Sequence, residues 1–478
     1  MLCKPVDRPP VFLNAIDAIL SFTLDTRYED LPPEVVAQSK VPFLDTIGVM
    51  LLGTTFPHGK IAIDLVRETG AAPVATVAGG GFKTSMLDAA FANGVSAFAP
   101  DFDDFNIEIF LHPSVVLIPA ILAAAEVTRA SGPDVLAAYI VGWEFINTIG
   151  QAAEAGRFAH RSRGWHPTGT TGTLGAAAVA ARMLGLNREG AAMALGIAGS
   201  MAAGTVQQYG TMAFALHPGL AAKNGLLAAR LAQKGITAER DILESRYGYL
   251  NLYNGAGNYR PLQPEKMGKP YFLVSPGFGL KKYACCSLLQ CPIEGMQELV
   301  KREHFTAEDV AEIAIGIHAK TREQIARHDN PTTVGEAQFS EQYHAAVGTV
   351  YPDLIGLAPY GQVPFADPRV RALMRRITVF VDPSIQGEDG DALYAHHLTV
   401  KLKDGRQFYS VATIVGGDVR KPLSRAEVLT KYRDNARRVL AAAEIEESIA
   451  ILERLERCPD IGRLTALMGQ KARDLPIF

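Results

Sequence analysis

The chain has 478 residues, 48% of them hydrophobic and 20% charged, with 44 Gly and 28 Pro. There is ample apolar material to offset ordering entropy and no glycine period, which excludes a disordered or collagen-like chain. Lys plus Arg is 47 against 50 Asp plus Glu, a net charge of −3, and no basic cluster of the kind a phosphate backbone requires stands out, so nucleic acid is not an expected partner.

At about 150 residues per domain, this length predicts two or three folding units with a large core. The opening segment, MLCKPVDRPPVFLNA, has prolines and an aspartate where a signal peptide needs an unbroken apolar run, so a cytoplasmic protein is expected. Five cysteines (Cys3, Cys285, Cys286, Cys291 and Cys458) are few and odd in number, which fits reduced thiols. From about residue 12 to 270 the pattern is mostly helical. Segments 32–53, 85–99, 115–130, 134–156, 173–186, 188–204 and 220–235 carry apolar residues at three- and four-residue spacing. Gly79-Gly80-Gly81-Phe82-Lys83-Thr84 lacks the spacing of a phosphate loop and reads as a turn. Neither 109–125 nor 190–222 contains a charged residue. Both carry His, Pro, Ser or Gln/Thr groups that a bilayer would not accommodate, so they are expected as buried helices and no membrane partner is expected.

Within this helical half lie the residues that can carry chemistry. Three of the eleven histidines precede proline: His112-Pro113, His166-Pro167 and His217-Pro218. Proline favours the first helical position, which places each histidine at or beside a helix N-terminus. Free backbone N–H groups there attract anions and disfavour imidazolium, so three converging ends would set neutral histidines beside an anion cradle. The run Asp101-Phe102-Asp103-Asp104 fits a hard-cation site, a capping loop or an orienting partner for histidine, metal being the weakest of the three.

Near Tyr271 the texture changes to alternating β-branched and polar residues at 309–319, 375–383 and 397–413, with Lys403-Asp404-Gly405-Arg406 a predicted hairpin turn. Cys285, Cys286 and Cys291 match no zinc spacing and read as buried thiols. Charge-rich helical pattern returns after Ser424. The expected fold is therefore mainly α. A large all-helical domain, 1–270, is completed by 416–478, and a smaller α+β domain spans 271–415.

The ordered segments MLDAAFANGVSAFAPDFDD, FLHPSVVLIPAILAAAE, GWHPTGTTGTLGAAAVAARMLGL, FALHPGLAAKNGLLAARLAQKGITA, KKYACCSLLQCPIEG and AQFSEQYHAAV together resemble the MmgE/PrpD family over nearly the whole chain. The resemblance implies a helical domain with an α+β lid domain, a site between them, usually a homodimer, and no metal or organic cofactor. By motif it assigns Asp101, His112 and His166 to catalysis, with Lys281 or Lys282 before the tyrosine-cysteine segment. Gln290, His217 and Tyr283 join the lysines as substrate-binding candidates. The chain departs from the family pattern at Phe98, Phe105, Phe214 (or Ala213) and Gln290, where polar groups are usual, which implies a substrate less anionic or differently shaped than the family's usual acids. The expected function is a cofactor-independent lyase or isomerase moving a proton at a carbon beside a carboxylate of a small organic acid, dehydratase-like. His166 and His112 would share the acid and base roles and Asp101 would orient one of them. An epimerase of the iminodisuccinate type and a non-catalytic acid-binding scaffold are the alternatives.

Overall fold

A computed structural model describes residues 15–106, 108–154, 159–356, 365–387 and 390–473; the leader reading of the first residues, and Cys3, lie outside that range. The fold is mainly α, with a smaller α+β region. At the centre of the helical part, the Leu216–Gln233 helix packs on Met86–Phe98, Pro167–Met183 and Arg188–Gly199, with Ser114–Thr128 and Gly132–Glu154 around them. The first uncharged stretch enters this core as expected, Val115 to Ala125 being almost completely buried; the second does so only through its helices, because residues 200–215 are turns and short 3-10 segments in which Thr205, Gln207 and Met212 are exposed. Local signals set the helix starts. Ser85 and Asn187 accept from Asp88 N and Gly190 N as N-caps, and Ser424 forms a capping box with Glu427. Gly94 faces Gly219 so closely that a Cβ on it would lie 2.7 Å from Gly219 Cα. That contact brings the C-terminal half of Met86–Phe98 and the first turn of Leu216–Gln233 together, and with them Phe98 and His217.

Among the described residues, one helix, Pro33–Gly53, is long and apolar enough to cross a membrane by length and composition. It is a core helix here, packed against Met86–Phe98 and Arg425–Ala436, and it carries the buried Asp45.

The four-stranded sheet runs in the order Ile377–Val381, Val310–Ile317, His396–Leu402, Gln407–Ala412. The first pair is parallel and the others antiparallel. Ile313, Ile315, Leu398 and Val400 face the core and alternate with more exposed neighbours, the period-2 pattern of a one-sided sheet. Lys401 pairs with Gln407 across the predicted hairpin, whose Gly405 takes φ 91°. A triple-glycine turn likewise joins the short strands Ala75–Thr76 and Lys83–Thr84. Helices after residue 424 fold back onto the helical core, Val428, Tyr432, Ile445 and Ile449 joining it. A second core under the sheet includes Val49, Leu52, Ala99 and Phe102 from the helical side, so the two cores abut at the 99–102 turn.

That junction is pinned by a buried lysine. Lys431 Nζ lies 2.9 Å from Asp45 Oδ1 and donates to Phe102 O at 2.6 Å and Lys281 O at 2.9 Å. Burial pulls both Lys431 and Asp45 toward their neutral forms, and each opposes the shift in the other. Asp45→Asn leaves the ammonium buried without a counter-charge, and we expect a loss of about 3–5 kcal/mol of stability, read as a lower urea midpoint at unchanged slope. A loss below about 1 kcal/mol would show that the pair does not pin the junction.

Candidate active site

The three His-Pro steps converge. His166 is the N-cap of Pro167–Met183, His112 lies one residue before the cap of Ser114–Thr128, and His217 sits inside the first turn of Leu216–Gln233. This last placement corrects the cap expectation, because the helix starts at Leu216. His166 Nδ1 is 3.0 Å from His217 Nδ1, and the His112 and His166 ring centres are 6.5 Å apart. Close approach is possible because the residue at the start of Pro167–Met183 that meets this turn is glycine; a Cβ on Gly169 would lie 2.3 Å from Ala203 O.

The acidic run lies opposite. Asp101, in the left-handed region at φ 51°, forms an ion pair with Lys281, which also reaches Asp103 Oδ1 at 2.9 Å. Burial opposes the charge on Lys281, but the two carboxylates outweigh it and hold its pKa above the ordinary lysine value. Asp103 Oδ2 stands 2.9 Å from His112 Nδ1, and Asp104 O accepts from the same nitrogen at 2.9 Å. A carbonyl only accepts, so Nδ1 carries a proton, and Nε2, with no hydrogen-bond partner among the described residues, is the nitrogen left for a ligand. Burial would raise Asp103, yet His112 and Lys281 prevail and bring it down to about 2. The neighbouring Asp104 goes the other way, burial and Asp103 pushing it well above the carboxylate range; it accepts from Ser114 Oγ at 2.8 Å.

His112 and Asp101 border a small cavity with Arg161, Tyr209, Phe214 and Phe339. Its volume is about 30 Å³, room for little more than water, so an organic acid enters only as the aromatic wall shifts. His166 stands behind that wall. Phe214 is 4.8 Å from it by ring centres, and Phe98, 4.8 Å from Phe214, covers its other side. Burial, together with His217, His112 and Arg161, drives His166 well below the usual histidine value. Burial alone pushes His217 down to about 4. Behind them, His160 is also pushed down to about 4 by burial, despite its hydrogen bond to Asn254.

Several sequence assignments change in the folded chain. Asp101 was expected to orient a histidine; it is engaged with Lys281, and the carboxylate beside His112 is that of Asp103. Lys282 leaves the site, pairing with Glu294 at 2.6 Å and lining a separate cavity of about 530 Å³ beside Arg425–Ala436. Tyr283 is in the sheet-side core and donates to Gln297 Oε1. Gln290 is fully buried, its Oε1 accepting from the backbone N–H of Lys282 and Tyr283 at 3.0 and 3.2 Å, so it shapes the segment that follows Lys281 and does not border the cavity. Phe105 and Phe214 do border it. Cys285 and Cys291 are buried free thiols, while Cys286 borders the cavity. Sequence reasoning missed Asp103 and Arg161. Alternation along an extended stretch puts residues two apart on one side, a signal that could have paired Asp103 with Asp101; nothing in the stretch His160-Arg161-Ser162-Arg163 singles out Arg161.

Models of the MmgE/PrpD N-terminal and C-terminal domains match residues 17–262 and 283–457. Among curated proteins, the chain is similar to human cis-aconitate decarboxylase, 30% identical over 452 residues that cover 92% of this chain and 91% of that protein. It is 29% identical to the mouse protein of the same name over 460 residues (92% and 90%). To cis-aconitate decarboxylase of Aspergillus terreus it is 28% identical over 463 residues, or 92% and 93% of the two chains.

Histidines held neutral by burial make the fold sensitive to acid. For His160 and His217 the folded pKa lies below the unfolded one, so the unfolded state binds more protons as pH falls through 6.5 toward 4, and stability declines over that window. Each contributes a loss of about 2 kcal/mol between pH 7 and 5. His160→Gln, compared with wild type by urea unfolding at both pH values, should remove about that much of the pH dependence; an unchanged dependence would show that His160 is not kept neutral.

Proposed function

The chain belongs to the MmgE/PrpD family, and from that premise we propose that it is a cofactor-independent lyase that removes carbon dioxide from a small unsaturated organic acid, with His112 as the proton carrier. The observation that carries this reading is the arrangement around His112. Its Nδ1–H is fixed by Asp103 and Asp104 O, its Nε2 is left for a ligand, and Arg161 borders the same cavity as a cation for a substrate carboxylate.

The chemistry follows from these positions. The bond between carbon and the departing carboxylate breaks, and its electron pair shifts through the double bond to the carbon that takes a proton from the His112 imidazolium. Carbon dioxide leaves; the ring returns to its neutral form and is reprotonated from water. Asp103 holds the tautomer and balances the positive charge while the ring is protonated, the role an orienting carboxylate plays behind a catalytic histidine. The low-dielectric aromatic wall strengthens both interactions. Similarity to three decarboxylases supports loss of carbon dioxide over loss of water. Epimerisation needs a base on each face of one carbon, and His112 is the one histidine among the described residues that borders the cavity before its aromatic wall shifts. The same reading expects a cytoplasmic homodimer.

The test is a panel of unsaturated acids in deuterated buffer, followed by NMR and carbon dioxide release. Wild type should release carbon dioxide and leave one solvent deuteron on a product carbon. His112→Gln should lower kcat/KM by about 10²–10⁴-fold, and Asp103→Asn should also lower kcat by about 10²-fold or more with little change in KM. His166→Asn should cost less than about tenfold. A larger loss at His166 than at His112 would overturn the assignment of the proton carrier, and deuterium exchange without carbon dioxide loss would overturn decarboxylation.

A further inference from the structure

Arg161 is 5% exposed, its guanidinium lies 4.8 Å from the centre of the Phe110 ring, and its Nε is buried without a hydrogen-bond partner. Tyr209 O–H lies beside it. No carboxylate among the described residues forms an ion pair with it. Glu154 acts on it electrostatically, but burial pushes that acid up to about 8, so at neutral pH it brings little counter-charge. A buried cation without a counter-ion, one N–H unused, bordering a cavity, is an incomplete pair that an anion would complete.

The other cation near the cavity is already spent. Lys281 is fully buried and held by Asp101 and Asp103, so Asp101 meets the cavity as part of a cluster with no positive charge to spare. His166 and His217 are neutral for the reasons given above. Among the described residues, Arg161 is therefore the one uncompensated positive charge on the cavity wall. The remaining wall offers no further cation: Phe105, Phe110, Phe214, Phe339, Leu288 and Ile325 are apolar, and Asn106, Ser287 and Tyr394 are uncharged. A second or third carboxylate on a ligand would meet uncharged groups and the acidic Asp101 with no cation to balance it, and burying an unbalanced charge is disfavoured far more than burying carbon.

We propose that the site takes an unsaturated acid with a single carboxylate, held by Arg161, whose remaining body is flat and apolar and lies against Phe214 and Phe339, and that it rejects di- and tricarboxylates. This rests on the proposed function for the place of the site but not for the reaction performed there. It also gives the aromatic side chains a positive role, since a planar apolar substituent stacks on their faces.

The test is binding to the full chain, by calorimetry and thermal shift, of crotonate, tiglate and cinnamate against itaconate, mesaconate and cis-aconitate. At least one of the three monocarboxylates should bind at least tenfold more tightly than every polycarboxylate. Arg161→Gln should weaken that monocarboxylate at least tenfold. Phe214→Lys, which adds a cation to the wall, should shift the preference at least tenfold toward itaconate. Should Phe214→Lys not fold by circular dichroism, Phe214→Gln replaces it and should weaken cinnamate relative to crotonate by removing the stacking face. A polycarboxylate bound as tightly as the best monocarboxylate, no binding of any monocarboxylate, or an Arg161→Gln variant that binds like wild type would each overturn the proposal. Monocarboxylate binding, with no carbon dioxide released from any β,γ-unsaturated acid, the kind whose double bond can take up the electron pair, leaves this inference standing and overturns the decarboxylation; release from cis-aconitate with monocarboxylates unbound does the reverse.

Discussion

Two lysines buried where the cores meet hold the site in place. An ammonium group in this low-dielectric interior persists only if oxygen atoms surround it, and Lys431 and Lys281 recruit theirs from separate parts of the chain. Lys431 joins the Pro33–Gly53 helix, through Asp45, to the carbonyls of Phe102 and Lys281. Lys281 then draws in Asp101 and Asp103 from the other side. The 101–104 turn is thus fixed at both faces, and Asp103 is presented to His112 at 2.9 Å. Remove the charges and the turn has no reason to hold that shape, since Asp101 sits at a φ of 51° that most side chains avoid.

The helix packing supplies the other half of the arrangement. Small residues at the crossings, Gly94 against Gly219 and Gly169 against Ala203, let three helix starts approach one another. Their histidines are then packed against Phe98, Tyr209 and Phe214, and burial keeps His166 and His217 uncharged. A site assembled this way separates its roles by environment. His112 has a carboxylate behind it and can balance a proton; His166 has imidazoles and a guanidinium around it and cannot.

Much of this was legible in the sequence because it depends on local rules. Proline fixed the starts of the helices after His112 and His166, and the β-branched alternation around Ile315, Val379 and Leu398 marked three strands of the sheet. Gly405 marked its hairpin. What stayed hidden depends on contacts between distant segments. Lys281 and Lys282 are neighbours of identical chemistry, and along an extended segment they point to opposite sides; only the fold decides that Lys281 meets the aspartates while Lys282 meets Glu294. The choice between Asp101 and Asp103 as the partner of His112 is of the same kind. Phe214 could be seen as a departure from a polar pattern, but not as the side chain that screens His166. Arg161 sits among other polar residues and becomes notable only because its neighbours in space leave it without a counter-ion.

The central claim is that Asp103 and Asp104 O hold the proton on His112 Nδ1 and leave Nε2 to the substrate. The tautomer can be observed directly in the full chain labelled with ¹⁵N-histidine, by long-range ¹H–¹⁵N correlation at a pH where the ring is neutral, with His112→Gln to assign the signal. The account requires a His112 ring protonated at Nδ1 with a lone pair on Nε2, and a disturbed pattern in Asp103→Asn. A His112 ring protonated at Nε2, with its lone pair turned toward Asp103, would contradict it.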